Sequence, residues 1–129
     1  MLPESTMLGD AALKKHELVD CTAIVSPLAA LGRATTVGAN TIIGPGCVIG
    51  GGVRIGSYCV LGPNVTIEAA SLGNRTTVSA NTSIGGEPFL YVRDREKWLK
   101  LPSFGSVEIG DDVSLGSNVV IDRGAIDDT

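Results

Sequence analysis

Few residues in this 129-residue chain have the chemistry to move a proton or attack an electrophile. The single histidine, His16, follows Lys14 and Lys15 near the N-terminus. Histidine is the side chain best matched to proton transfer near neutral pH, so a Ser-His-Asp or Cys-His set would have to recruit it. Its neighbours read as a solvated surface, and no catalytic role is assigned to it. The cysteines, Cys21, Cys47 and Cys59, are odd in number, which fits reduced thiols better than a disulfide framework. The acidic pairs Asp111-Asp112 and Asp127-Asp128 read as solvated turn corners, and no metal is expected.

Binding residues concentrate in one stretch, 85–106. It carries Phe89, Tyr91, Trp98 and Phe104, four of the chain's five aromatic residues, together with Arg93, Arg95, Lys97 and Lys100. The order Phe-Leu-Tyr-Val, Arg-Asp-Arg-Glu, Lys-Trp-Leu-Lys-Leu predicts a projecting hairpin with a polar tip. Its aromatics serve either to bind a ligand or to pack on the wall of the molecule or a neighbouring subunit, and one surface can do both.

The rest of the chain must position that hairpin, and it is periodic. Aliphatic residues recur every six positions at Val25, Leu31, Val37, Ile43, Ile49, Ile55, Leu61 and Ile67. A five-residue step leads to Leu72, Val78 and Ile84, and the register resumes at Ile109, Leu115 and Ile121. Two residues before each lies a small or β-branched residue, among them Thr41, Cys47 and Cys59. A thiol in such an interior slot behaves as a small hydrophobe. Side chains two apart share a strand face, so each hexad holds one short strand. Three residues past the aliphatic position stand Asn40, Gly46, Gly52, Asn64, Asn81, Asp112, Asn118 and Gly124, residue types that tolerate positive φ at a turn. Three strand-and-turn units close a triangular coil, and coils stack about 4.8 Å apart.

The expected fold is therefore all-β, a left-handed parallel β-helix of about five coils, with one projecting hairpin loop. A glycine-rich β-sandwich is the alternative that the unbroken six-residue period disfavours. The expected organisation is an N-terminal cap or degraded first coil at 1–19, hexapeptide coils at 20–84, the inserted loop at 85–106 and resumed coils at 107–129. Residues 10–19 read either as a short helix capped by Asp10 or as a degraded coil. The chain ends in mid-coil, which leaves an open ladder edge without a capping helix and suggests that something is absent. With 4% aromatic residues no core of large rings is expected, and a net charge of −4 argues against a nucleic-acid partner. No apolar run is long enough to span a bilayer, and no signal peptide is apparent, so a bacterial cytoplasmic location is expected.

Four segments carry a more specific likeness: Ser83-Ile84-Gly85-Gly86-Glu87-Pro88-Phe89, Trp98-Leu99-Lys100-Leu101-Pro102, Val107-Glu108-Ile109-Gly110-Asp111-Asp112-Val113 and Ile121-Asp122-Arg123-Gly124-Ala125-Ile126-Asp127-Asp128-Thr129. Together they resemble the UDP-3-O-acylglucosamine N-acyltransferases of lipid A synthesis, from about Val19 onward. The resemblance implies a homotrimer with active sites between adjacent prisms. It implies transfer of a 3-hydroxyacyl chain from the phosphopantetheine of acyl carrier protein, or from CoA, to the amine of a UDP-sugar, with no resident cofactor. It would put Phe89, Tyr91, Trp98 and Lys100 near the acyl or phosphopantetheine groups. Asp122 and Arg123 match a family motif, where substrate contact and a structural role in the corner are both open.

The chain departs from that family in three places. Only a short segment precedes the first secure hexad, at Val25, where the family has a uridine-binding domain. The family's catalytic histidine lies in an Ala-His-Asn stretch a coil or so beyond Thr129. Glu87-Pro88-Phe89 stands where Asp-Gly-Phe is usual. The γ-carbonic anhydrases share such a prism but hold zinc with three histidines, and this chain has one. Two functions follow: the core of a sugar acyltransferase whose isolated 129 residues are inactive, or a non-catalytic trimeric hexapeptide-repeat protein that binds through its loop.

Overall fold

The structure, a computed structural model, describes residues 18–87, 91–94, 97–100, 105–124 and 127–129. The choice between helix and coil for residues 10–19 lies, up to residue 17, outside them. Within the described residues the chain is a left-handed parallel β-helix with three walls, as its period demands. One wall stacks β1 (Ile24–Val25), β4 (Ile42–Ile43), β7 (Val60–Leu61), β10 (Thr77–Val78) and β15 (Ser114–Leu115). A second stacks β2 (Ala30–Leu31), β5 (Val48–Ile49), β8 (Thr66–Ile67), β11 (Ser83–Gly86) and β16 (Val120–Asp122). The third stacks β3 (Thr36–Val37), β6 (Arg54–Ile55), β9 (Ala70–Leu72) and β14 (Val107–Ile109), extended by a parallel bridge from Val19 to Val37.

Register follows the spacing of the hexads. Ile24 pairs with Ile42, three whole hexads further along the chain. The five-residue step shortens one coil, so Arg54 pairs with Ser71, one position short of three hexads. Ser71 then pairs with Glu108, a separation of about two coils for a single step up the wall. The excess is the inserted loop, which leaves the column of interior residues in line. Inside the loop, β12 (Tyr91–Asp94) and β13 (Lys97–Lys100) form the antiparallel hairpin that the sequence predicts.

The interior is filled by the two predicted columns. Val37, Ile43, Ile49, Ile55, Leu61, Ile67, Val78 and Ile84 are buried, and so are the small-column residues Thr41, Cys47, Val53, Cys59, Val65, Thr76 and Thr82. A polar side chain in so narrow a space needs a partner. Each of these threonines finds one in the coil above: Thr41 donates to the Gly56 carbonyl at 2.6 Å, Thr76 to Gly110 at 3.0 Å and Thr82 to Gly116 at 2.7 Å. The Cys47 and Cys59 thiols donate to the Gly62 and Gly73 carbonyls at 3.0 and 3.1 Å. The small column thus joins successive coils as well as filling space.

The corners are left-handed at Asn40, Gly46, Gly52, Asn64, Asn81, Asp112 and Asn118. Gly124 is not left-handed, because the chain abandons the six-residue corner there: Thr129 returns beside β14, donating to the Ser106 carbonyl and accepting from the Glu108 amide. Ala34, Tyr58 and Arg75 take the same left-handed turn at the same repeat position, at a cost of roughly 1–2 kcal/mol each for an L-residue. The backbone ladder imposes the corner there even where the residue type resists it.

Candidate functional site

The inserted hairpin leaves the prism at the corner between the second and third walls, after Ile84 and before Val107. Tyr91 pairs directly with Lys100 and Arg93 with Trp98. Opposed residues and those two apart share a face of an antiparallel pair, so Tyr91, Arg93, Trp98 and Lys100 hold register positions on one face of the hairpin. Three of the residues singled out from the sequence, Tyr91, Trp98 and Lys100, are thereby brought together. Phe89 lies outside the described residues.

The foot of the hairpin holds the other two. Gly85 sits in a bulge between Ile84 and Gly86, with φ at +85°. Asp122 pairs with Gly86 and is exposed. Arg123 turns inward: its Nε donates to the Gly85 carbonyl at 2.9 Å, its backbone N–H donates to the Gly86 carbonyl at 2.9 Å, and its Nη2 lies 3.5 Å from Glu68 Oε2. The sequence shows no direct sign of Glu68 in this role, because its distance from Arg123 along the chain is set by the insertion.

Below the foot, on the third wall, an open groove of about 320 Å³ runs past Arg54, Ser71, Ser106 and Glu108. Arg54, Ser71 and Glu108 are the outward residues of β6, β9 and β14, placed in line by the register. One guanidinium, two hydroxyls and a carboxylate can hold a polyhydroxylated or phosphorylated ligand by hydrogen bonds. None of them is a nucleophile activated by a base. Among the described residues no three His, Cys, Asp or Glu groups are placed to hold a metal ion.

Elsewhere the titratable groups serve the scaffold. The Arg75 guanidinium binds both Asp112 carboxylate oxygens, at 2.6 and 3.1 Å, and these bonds hold the Asp112 carboxyl below its usual range. Hydrogen bonds from Thr22 do the same for Asp20. Burial pushes the Cys47 thiol up, against the opposing pull of hydrogen bonds from the backbone. A thiol reagent applied to the native protein is expected to modify Cys21 alone, since Cys47 and Cys59 are wholly buried. All three should react in denaturant; native reaction of a second thiol would contradict the interior placement.

The comparisons with known proteins agree with the repeat. Residues 34–69 match the family model for bacterial transferase hexapeptide (six repeats), and residues 105–125 that for the hexapeptide repeat of succinyl-transferase. The chain is 52% identical over 46 residues to the UDP-3-O-acylglucosamine N-acyltransferase of Pseudoalteromonas translucida, a match covering 36% of this chain and 14% of that protein. It is 53% identical over 47 residues to the enzyme of the same name from Aromatoleum aromaticum, again 36% of this chain and 14% of the relative. Among solved structures, the N-acyltransferase AntD from Bacillus cereus, in complex with dTDP and coenzyme A, has a TM-score of 0.56 at 18% identity. That likeness covers 92% of this chain and 78% of that one, and it concerns the fold.

The three-walled prism and its six-residue repeats define a left-handed parallel β-helix of the hexapeptide-repeat kind. Over about a third of its length the chain is similar to UDP-3-O-acylglucosamine N-acyltransferases, of which it spans 14%.

Proposed function

We propose that this chain is the core of a hexapeptide-repeat acyltransferase that moves an acyl group from acyl carrier protein or CoA to the amine of a UDP-linked sugar. The observation that carries the reading is the identity of about half the residues, over the matched stretch, with enzymes named for that reaction. The hairpin face holding Tyr91, Trp98 and Lys100 is proposed to meet the acyl donor, as is Phe89, and the groove at Arg54 and Ser71 to take the polar nucleotide sugar. The bound dTDP and coenzyme A of the structurally similar N-acyltransferase support a donor and a nucleotide on such a prism.

The working assembly is proposed to be a cytoplasmic homotrimer. Ile24, Ile42 and Val60 line up on the outside of the first wall, 64%, 42% and 41% exposed, and a contiguous apolar column favours a partner. Among the described residues no helix is long and apolar enough to cross a membrane.

Amide formation from a thioester needs a base for the amine proton and donors for the oxyanion. His16 is the only histidine in the sequence, so the 129-residue chain alone is expected to bind without turnover. Calorimetric titration with a UDP-amino sugar, CoA and acyl carrier protein tests this. Saturable binding, weakened about tenfold (about 1.4 kcal/mol) by Trp98→Ala, is expected. Absence of binding for all three ligands would sink the reading and favour a non-catalytic trimeric scaffold. Turnover lost on His16→Ala would overturn the expected inactivity of the chain, and a monomer by light scattering would overturn the trimer.

A further inference from the structure

The segment from Asp122 to Thr129 carries no histidine, cysteine or lysine, yet its described residues, 122–124 and 127–129, touch both feet of the inserted hairpin. At the outgoing foot Arg123 makes the bonds already described, to the Gly85 carbonyl through Nε and to the Gly86 carbonyl through its backbone N–H. Its guanidinium is further held by Glu68, which lies one coil below. At the returning foot the Gly105 N–H donates to the Gly124 carbonyl at 3.0 Å, and the Ser106 N–H donates to Asp128 Oδ1 at 2.8 Å. Thr129 and Ser106 then join through the Thr129 N–H at 2.6 Å. The Asp127 carbonyl oxygen fills the space that a Cβ on Gly105 would need, so the returning foot and this segment lie in backbone contact.

We infer that this segment is a clasp, in which Arg123 and Asp128 are positioning residues that fix the two feet of the hairpin and so set its direction from the prism. A long insertion on a solenoid has no register of its own, because the coils below and above stay in line whichever way the loop leans. Direction must come from contacts at its feet. Arg123 supplies a planar donor for one, and Asp128 a charged acceptor for the other. Because the two residues are close in sequence, both feet are tied to one short piece of backbone. The regular six-residue corner is given up at Gly124 for this purpose, which accounts for the return of the chain at Thr129. The inference does not depend on the acyl-transfer reading and stands if the ligand titrations fail.

The test uses two probes native to the chain. Trp98, the only tryptophan, lies on β13, and Cys21 is the exposed thiol. Time-resolved energy transfer from Trp98 to an acceptor on Cys21 reports the hairpin's position, while hydrogen exchange of the β4 and β7 amides reports the coils. The parent should give one narrow distance. Arg123→Ala and Asp128→Ala should each lose it for a broad distribution while β4 and β7 keep their protection. Asp128→Asn, which retains the Oδ1 acceptor, should restore the narrow distance. An unchanged distance in both alanine variants overturns the inference. So does loss of protection in β4 and β7 along with the hairpin, which would make these residues part of the prism's general stability. If Arg123→Ala does not fold, Arg123→Lys, which keeps the charge and the backbone bond, takes its place under the same criteria.

Discussion

Gly85→Ala is expected to destabilise the protein by about 4 kcal/mol, among the largest effects a single methyl group can have here. Two causes add. The φ of +85° is one that an L-residue adopts only at a cost of roughly 1–2 kcal/mol. In addition, an added Cβ would overlap the Glu68 carbonyl oxygen. That oxygen belongs to the coil below and cannot rotate away as a side chain would. Moving it would disturb the Glu68 N–H, which donates to the Ile84 carbonyl at 2.8 Å. Gly52→Ala is the control: its φ is +74°, but an added Cβ meets nothing within 4 Å, so conformational cost alone applies. Urea unfolding of the two variants separates the effects. Equal losses would show that the Glu68 backbone yields and that the bulge is not a tight fit.

Ile67→Ala should cost about 3–4 kcal/mol and Ile67→Val about 1 kcal/mol. Ile67 is fully buried at the centre of the second wall, between Ile49 below and Ile84 above. Collapse around a truncated side chain requires neighbouring coils to approach, and their spacing is set by backbone hydrogen bonds on all three walls. The cavity therefore persists, which places the cost toward the upper part of the usual range. Ile24, on an outward position of the first wall and 64% exposed, should lose within about 0.5 kcal/mol on truncation to alanine in a monomer. Denaturation midpoints for the two truncations check the contrast. A loss at Ile67 no greater than at Ile24 would refute the assigned interior column.

Much of this architecture is legible along the chain because the repeat makes local and global requirements coincide. Ile43, Ile49 and Ile55 each occupy the same slot in successive walls, so one rule read from any hexad places them all. The rule even reaches Ala34, Tyr58 and Arg75, whose left-handed turns are signalled by their place in the period, though residue type alone conceals them. The hairpin is legible for a different reason: its strands alternate around a polar stretch, a local pattern that needs no distant partner. The likeness of the motif from Asp122 to Thr129 to a known family is also visible in sequence, but the contacts it makes are not.

The sequence by itself determined the three-walled prism, the interior columns and the place of the insertion, because six-residue periodicity forces side chains two apart onto one face. Only the tertiary structure decided which residues meet at the foot of the hairpin. Arg123 reaches back to Gly85 across the whole inserted loop, and to Glu68 beyond it. Those separations combine the insertion with whole coils, and the coil before it is itself one position short. Neither obeys the period. Contacts between coils depend on the running sum of every insertion and deletion between them, and that sum becomes a distance only when the backbone ladders close.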